Sequence, residues 1–306
     1  MQYVNLGIAG VKVSPIALGL GFRQQSSEQE AQHVIEHAID LGVNFLDCAN
    51  MYSLTATRKS EEVLGRVLRT KRDDVVITSK VNSPVGQGPN DRGTSRYHIM
   101  REVDNSLRRL GTDHVDVYLL HAFDDETPLD ETLRAMDDLV TVGKVRYVGC
   151  CNFTAWQVCK ALWTADRLNT DPIICVQNPY NLLNRALENE MFGLLRDQGL
   201  GAMAYSPMAV GRLTGGPGGL DGSEPGDTLD VVSVVREIAA GRDKTMAQVA
   251  LNWVLSHQEI TVAIAGCDTV EQVDENLGAL GWELDEPELA RLNKASESLR
   301  WYPVTG

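Results

Sequence analysis

The chain alternates, over almost its whole length, between short runs of β-branched apolar residues and segments whose apolar residues recur at helical spacing. This alternation predicts repeated βα units, because two parallel strands need a long connection that is usually a helix. Eight such units, averaging about 38 residues each, favour an α/β fold of the (β/α)8 TIM barrel type over an open doubly wound sheet. The eight predicted strands are Ile16–Gly19, Val43–Asp47, Val75–Lys80, Val115–Leu120, Val145–Gly149, Ile173–Gln177, Leu200–Tyr205 and Ile260–Ala265.

Helices are predicted between these strands, and capping residues mark the start of several of them. Ser27 is expected to begin the first helix, and Thr127, Thr154 and Thr269 are expected to begin three later ones. After the first helix, helical stretches are predicted near residues 58–69, 96–110, 128–142, 155–168, 186–198, 230–256 and 270–280.

Two extensions and one long loop complete the predicted architecture. An N-terminal hairpin spans Val4–Val13 and turns at Gly10, and a final helix covers Asp285–Leu299. The segment Gly211–Asp227 is rich in glycine and proline, which is typical of a long loop. Because no low-complexity linker divides the chain, residues 1–306 are expected to form a single barrel domain.

The acidic composition excludes some classes of partner. With 28 basic and 42 acidic residues, the formal net charge is −14, which argues against binding to nucleic acid or to an anionic membrane surface. The N-terminal residues lack the features of a signal peptide and no apolar run has membrane-spanning length, so a cytoplasmic protein is expected. The cysteines lack CxxC spacing and lie mostly in apolar runs, which predicts reduced core thiols and no metal site.

Polar residues stand where the predicted strands end, on the face of a TIM barrel that carries active sites. Asp47, Lys80 and His121 end or directly follow the second, third and fourth strands, and Tyr52 lies shortly beyond Asp47. Each residue alone would be an ordinary cap or surface group. Their coincidence on one face predicts a catalytic site, which the other strand ends extend with Asn152, Gln177, Ser206 and Gly266.

Together, these side chains are suited to proton transfer. Tyrosine exchanges a proton near neutral pH when a cation favours its phenolate, and Lys80 would supply that cation to Tyr52. Asp47 would keep the ammonium protonated, and His121 would orient a carbonyl or alcohol oxygen. The set suits proton transfer coupled to hydride transfer from a bound cofactor. A Schiff-base lyase or aldolase that uses Lys80 as its nucleophile is the alternative.

The sequence resembles the aldo-keto reductase superfamily nearly from end to end. Leu6–Ser14 resembles the family's N-terminal hairpin, Gly42–Tyr52 resembles its first signature, and Gly149–Phe153 resembles the stretch that meets the nicotinamide. The resemblance implies a (β/α)8 barrel and an NAD(P)(H)-dependent oxidoreductase. Such an enzyme would interconvert a small-molecule aldehyde or ketone and an alcohol, so no nucleic acid or membrane partner is implied.

The same resemblance implies roles for single residues. Tyr52 would be the general acid and base, Lys80 and Asp47 would tune it, and His121 would steer the substrate. The implied cofactor contacts are Gly21 and Phe22 near the nicotinamide half, Asn152 and Gln177 at the carboxamide, Tyr205 on the ring, Ser206, Pro207, Met208 and Gly211 along the pyrophosphate, and Gly266, Gln272, Glu275 and Asn276 at the adenosine end.

Two residues depart from the family pattern. Cys151 replaces the serine expected before Asn152, which removes a good hydrogen-bond donor. Asp268 stands where many NADP-using members carry a basic residue that faces the adenosine 2′-phosphate. A carboxylate there would repel that phosphate and accept a hydrogen bond from a free ribose 2′-hydroxyl, so NAD(H) or dual use is expected. The alternative is that Asp268 caps its helix while Arg212 or Arg242 reaches the phosphate.

The sequence leaves the substrate and the physiological role open. Channel-associated members of the superfamily resemble slow redox sensors, so a cofactor-binding regulatory subunit is a second alternative. Polar residues are frequent in the loops expected to form the pocket, which favours a sugar or sugar-derived carbonyl compound, and NAD use would favour alcohol oxidation. These loops are Phe22–Ser26, Asn50–Thr57, Asn82–Ser95, Ala122–Glu126 and Arg300–Tyr302.

Overall fold

A computed structural model of the chain describes residues 1–22, 27–55, 58–215 and 226–300. Within these residues, eight parallel strands pair in chain order and close into a barrel, so the predicted TIM-barrel fold is confirmed. The barrel strands are β1 (Ile16–Gly19), β2 (Phe45–Asp47), β3 (Val76–Val81), β4 (Val115–Leu120), β5 (Val145–Cys151), β6 (Ile173–Pro179), β7 (Gly201–Tyr205) and β8 (Val262–Gly266).

The strands differ from their predicted bounds by one or two residues, at the start of β2, β3, β7 and β8 and at the end of β3, β5, β6 and β8. β5 and β6 run two residues further than expected, because Gln177 still pairs with Cys151 and Pro179 with Tyr205. Outside the barrel, two short antiparallel pairs are present, and the second of them is absent from the sequence-based expectations. They join Val4–Asn5 to Lys12–Val13 and Ser53–Thr55 to Arg58–Lys59.

An outer layer of helices surrounds the barrel. In the described part of the chain the α-helices are α1 (Glu28–Asp40), α2 (Ser60–Lys71), α3 (Arg96–Leu110), α4 (Leu129–Thr141), α5 (Ala155–Leu168), α6 (Met191–Gln198), α7 (Gly226–Arg242), α8 (Met246–Leu255), α9 (Val270–Leu277) and α10 (Glu286–Ala295). Short 3-10 turns cover Arg72–Asp74, Ala186–Glu188, Ala209–Gly211 and Glu297–Arg300.

Two long helical predictions are wrong in detail. The stretch 230–256 is two helices, because Thr245 begins α8 with a capping box in which its hydroxyl accepts from Gln248. The stretch 186–198 starts as the 3-10 turn Ala186–Glu188 before α6 begins.

The predicted helix starts are mostly confirmed. The hydroxyls of Ser27 and Thr269 accept hydrogen bonds from backbone N–H groups in the first turns of α1 and α9, and Thr154 forms a capping box on α5. Thr127 does not cap α4, since Pro128 holds the N-cap position there. The chemistry of the capping side chain therefore identified three starts, and the proline displaced the fourth by one residue.

The N-terminal hairpin lies at the floor of the barrel, where the strands begin. Gly10 lies in its turn, as predicted, but the constrained glycine there is Gly7, because Gly7 has a φ of 62° and a methyl group on it would collide with the backbone nitrogen of Gly201. Leu6 is fully buried in the apolar cluster that fills the barrel interior. The floor is thus a packed apolar surface.

The structure describes only part of the predicted loop Gly211–Asp227. Ala209–Gly211 forms a 3-10 turn, α7 begins at Gly226, and residues 216–225 lie outside the described residues. Of the predicted pocket loops, residues 23–26, 56–57 and 301–302 also lie outside them. Across the portions of the chain that are described, no helix combines the length and apolar character needed to cross a membrane.

Candidate active site

Lys80 is the central side chain at the mouth of the barrel, the end at which the strands finish. It lies on β3 and is fully buried. Its ammonium donates to both carboxylate oxygens of Asp47, at 2.9 and 2.8 Å, and to the carbonyl oxygen of Cys48 at 2.8 Å. It also donates to the hydroxyl oxygen of Tyr52 at 3.3 Å. The structure therefore brings three of the predicted catalytic residues into direct contact.

Asp47 ends β2 and is held by more groups than the sequence indicated. Besides Lys80, its Oδ1 accepts from the hydroxyl of Thr78 and from Nε2 of Gln177, each at 2.7 Å. Thr78 precedes Lys80 by two residues on β3, so both side chains point to the same face of the sheet. That period-two spacing was the available sequence signal for Thr78, which the sequence analysis missed.

Burial and charge set the protonation states of this group. Burial raises the pKa of Tyr52 to about 12, and the neighbouring Lys80 ammonium opposes that rise. Burial disfavours the charged form of Lys80, but the Asp47 carboxylate outweighs it and the pKa of Lys80 stays above its usual range. Lys80 is therefore a fixed ammonium, and a neutral amine nucleophile for Schiff-base chemistry is disfavoured.

His121 follows β4 and stands beside the tyrosine. The rings of Tyr52 and His121 are 6.1 Å apart between centroids and meet edge to face. Nδ1 of His121 lies 3.2 Å from the hydroxyl of Ser83, a residue that the sequence analysis did not single out. Burial, reinforced by the charge of Lys80, lowers the pKa of His121 to about 4. The imidazole is therefore neutral at physiological pH, and its Nε2 is left for a substrate oxygen.

Asn152 and Gln177 hold the mouth together across neighbouring strands. The amide of Asn152 donates to the carbonyl of His121 at 2.9 Å, and its oxygen accepts from the hydroxyl of Tyr205 at 3.0 Å. The oxygen of Gln177 accepts from the thiol of Cys151 at 3.6 Å. Cys151 thus still donates a hydrogen bond at the position where the family pattern has serine. Each amide keeps one N–H for a bound carboxamide.

Left-handed backbone is concentrated at the mouth. Eight non-glycine residues with positive φ are found in the described part of the chain, and six of them follow barrel strands. Each such residue costs roughly 1 kcal/mol or more, and such strain persists mainly at functional sites. The six are Phe22, Asn82, Asn152, Ser206, Ala209 and Val210.

The mouth also offers backbone that a ligand can approach closely. Gly21 and Gly266 are exposed beside the ends of β1 and β8, which are adjacent strands, and a Cβ at either glycine would meet no atom within 4 Å. Gly211, with a φ of 91°, ends the turn after β7. Open glycine backbone, spare amide donors and an aromatic hydroxyl fit an elongated polar cofactor such as a nicotinamide dinucleotide.

Some predicted cofactor residues are placed differently from their implied roles. The ring of Phe22 is buried in the core, Pro207 is buried, and Met208 is only partly exposed. Asn276 is buried and its amide donates to the thiol of Cys267 at 3.2 Å. These side chains lie largely beneath the surface of the mouth and support the residues that line it.

The last loop of the barrel holds Asp268 just before α9. Thr269 rather than Asp268 caps α9, and the backbone N–H of Asp268 donates to the side-chain oxygen of Gln272. Glu275 lies one turn further along α9. Arg242 is bound to Asp285 and Glu288 at α10. Asp268 is therefore not the N-cap of α9, and Arg242 is paired at α10, while the part of the alternative in which Arg212 reaches the phosphate stays a prediction.

The cysteines are mostly buried thiols. Five of the six cysteines are buried, while Cys159 on α5 is exposed. Burial raises the pKa of the Cys151 thiol, so it stays protonated. Within the described ranges, no group of three or more His, Cys, Asp or Glu side chains is arranged to hold a metal ion.

Comparison with known proteins gives the family. The model of the aldo/keto reductase family matches residues 15–297. The chain belongs to this family. It is 35% identical over 310 aligned residues to the uncharacterized oxidoreductase YrpG of Bacillus subtilis, covering 96% of this chain and 95% of that protein. The chain is therefore an oxidoreductase, as predicted, and its family uses NAD(P)(H).

Two further relatives differ in their named roles. The chain is 30% identical to the L-glyceraldehyde 3-phosphate reductase of Escherichia coli, with 92% of this chain and 88% of that protein aligned. It is 35% identical to a probable voltage-gated potassium channel subunit beta of Arabidopsis thaliana, with 92% and 91% aligned. Enzymes and a channel subunit thus share this sequence pattern.

Proposed function

We propose that this aldo/keto reductase interconverts a small carbonyl compound and its alcohol with Tyr52 as the general acid and base. The supporting observation is the contact of the buried Lys80 ammonium with both Asp47 and the Tyr52 hydroxyl. We also propose that residues 1–306 act as one barrel domain.

The proton path follows from the direction of these hydrogen bonds. Lys80 donates to the phenol oxygen of Tyr52, so the phenol hydrogen is left for the substrate oxygen. During carbonyl reduction Tyr52 gives up this proton, and the ammonium stabilises the phenolate that forms. Asp47 keeps Lys80 charged, and neutral His121 donates from Nε2 to orient the carbonyl oxygen. Alcohol oxidation reverses each transfer.

A bound nicotinamide cofactor supplies or accepts the hydride. The residues that would hold its nicotinamide half are Gly21, Phe22, Asn152, Gln177 and Tyr205, those that would hold its pyrophosphate are Ser206, Pro207, Met208 and Gly211, and those that would hold its adenosine end are Gly266, Asp268, Gln272, Glu275 and Asn276. Buried Phe22, Pro207 and Asn276 would act through backbone groups or by shaping the groove.

We propose that NAD(H) is bound at least as well as NADP(H). Asp268 lies in the loop between β8 and α9, where its carboxylate would repel a 2′-phosphate. Arg242 forms ion pairs with Asp285 and Glu288 at α10. These pairs support the preference because they hold one of the candidate phosphate-binding cations at α10. Fluorescence titrations with NADH and NADPH test it, and clearly tighter NADPH binding would contradict it.

For the substrate, we propose a hydroxylated aldehyde or ketone related to sugars. The polar pocket loops and the relative named for reduction of L-glyceraldehyde 3-phosphate support this class. If NAD is the cofactor, the working direction is alcohol oxidation. A panel of aldoses, polyols and simple aldehydes, assayed in both directions with both cofactors, tests the proposal. Turnover is expected with at least one combination of substrate and cofactor. The absence of turnover with every combination would contradict the proposed enzymatic function.

The second candidate is a slow cofactor-binding sensor subunit, which the relative named as a channel subunit favours. Turnover that remains very slow with every substrate, together with a stable protein partner, would support this candidate over a metabolic enzyme.

A further inference from the structure

A buried carboxylate on the outer helix layer contacts the loop that carries Tyr52. Glu102 of α3 has only 2% of its surface exposed. Its Oε2 accepts from the amide of Asn50 at 3.1 Å, and its Oε1 accepts from the amide of Asn105 at 2.8 Å. Nε of Arg101 lies 3.7 Å from Oε1. Burying a carboxylate is unfavourable unless hydrogen bonds replace its lost water, so this arrangement calls for an explanation.

Asn50 is the link between Glu102 and the tyrosine. It stands two residues before Tyr52 and its side chain is fully buried. Its Oδ1 has no hydrogen-bond partner among the described residues, whereas its Nδ2 donates to Glu102. A buried amide with one unsatisfied end is unfavourable. Asn50 is therefore expected to lower the free energy of unfolding, so its place in the loop calls for another reason.

The loop around Asn50 is tied at each end to the barrel and to α2. The carbonyl of Cys48 accepts from Lys80, and the N–H of Tyr52 donates to the carbonyl of Ala49. Ser60, the first residue of α2, donates its N–H to the carbonyl of Tyr52. Asn50 lies between these hydrogen bonds, and its amide joins the loop to Glu102 of α3.

The contact that this loop must maintain is a long one. The Tyr52 hydroxyl is 3.3 Å from Nζ of Lys80, near the outer limit of a hydrogen bond. A displacement of about 1 Å in a catalytic group can reduce turnover by about 100-fold. A small movement of the loop would therefore separate the proton donor from the cation that stabilises its phenolate.

We propose that Glu102, acting through Asn50, is a positioning residue that holds Tyr52 within reach of Lys80. This inference rests on the proposed role of Tyr52 as the general acid and base. A purely structural role, in which Glu102 only packs α3 against the barrel, would alter stability without altering the turnover of folded enzyme.

The test compares Glu102→Ala, Asn50→Ala, the double variant and Glu102→Gln in the complete chain with its cofactor. Each single alanine variant is expected to lower kcat about 10- to 100-fold with little change in KM or cofactor affinity. The double variant should lose no more than either single variant, because both remove the same contact. Glu102→Gln should retain most activity, since its amide oxygen still accepts from Asn50.

Asp116→Asn is the matched control, because this partly buried carboxylate accepts from Arg72 and from the backbone of Ile77 at the floor. It should lower stability and leave the kcat of folded enzyme unchanged. A native kcat in Asn50→Ala, or losses that add in the double variant, would overturn the positioning role. If Glu102→Ala fails to fold, the kcat of Asn50→Ala alone tests whether this contact positions Tyr52. Full activity in Tyr52→Phe would instead overturn the proposed function itself.

Discussion

The two ends of the barrel are built on opposite principles. At the floor, an apolar hairpin with buried Leu6 closes the interior, and Gly7 fits against the backbone of Gly201. At the mouth, a lysine and an aspartate are buried together, and left-handed non-glycine residues follow several strands. Buried charge and backbone strain reduce stability, so the Lys80–Asp47 pair and the left-handed residues that follow the strands support the proposal that the chemistry takes place at the mouth. The floor supplies the compensating stability.

The largest combined effect is expected for Lys80→Met. The substitution leaves the buried Asp47 carboxylate without its cation, which should lower the free energy of unfolding by about 3–5 kcal/mol. It also removes the charge that stabilises the Tyr52 phenolate, so kcat should fall by about 10²- to 10⁴-fold. Urea unfolding and steady-state turnover measure the two losses. A stable and active variant would break the contrast between mouth and floor.

At the floor, Leu6→Ala should lower stability without lowering the activity of the folded enzyme. Leu6 is fully buried, so its truncation should lower the free energy of unfolding by about 2–5 kcal/mol through lost burial and a new cavity. The kcat of the folded fraction should match that of the native enzyme. A large loss of kcat at temperatures where the variant is fully folded would show that the floor takes part in catalysis.

Within the mouth, Asp268→Arg should change the choice of cofactor. The ratio of NADPH to NADH affinity is expected to rise about tenfold, equivalent to ~1.4 kcal/mol, because a cation replaces a carboxylate beside the 2′-position. Asp113→Arg makes the same charge change in an exposed residue between α3 and β4 and should leave the ratio unchanged. An unchanged ratio in Asp268→Arg would place the determinant elsewhere.

The smallest effect is expected for the pH dependence of carbonyl reduction. The pKa of His121 is about 4 and that of Tyr52 about 12, so neither group changes its protonation state across the neutral range. Carbonyl reduction, which needs protonated Tyr52 and neutral His121, should therefore show a flat kcat/KM there. Alcohol oxidation, which needs the phenolate, should accelerate as pH rises. A loss of reduction below a pKa near 6.5, measured in the pH profile, would show that His121 is not buried as described.

The sequence predicted the meeting of the proposed catalytic residues better than the contacts behind them. Asp47 and Lys80 end adjacent predicted strands, and parallel strands in a barrel finish at one face, so their meeting followed from the element pattern alone. The bond between Asn50 and Glu102 joins residues 52 positions apart and depends on the path of an irregular loop, which no periodicity encodes. The break before Thr245 had two signals that the sequence analysis did not use, the polar stretch Gly241–Lys244 and the capping pair of Thr245 with Gln248.

Tyr52→Phe tests the central claim most directly, because it removes one hydroxyl and leaves the surrounding packing in place. Turnover and cofactor binding should be measured on the same preparation, with urea unfolding as the control for folding. The account predicts loss of turnover with cofactor affinity and stability nearly unchanged. Retention of near-native turnover would contradict it, since the proton would then come from another group.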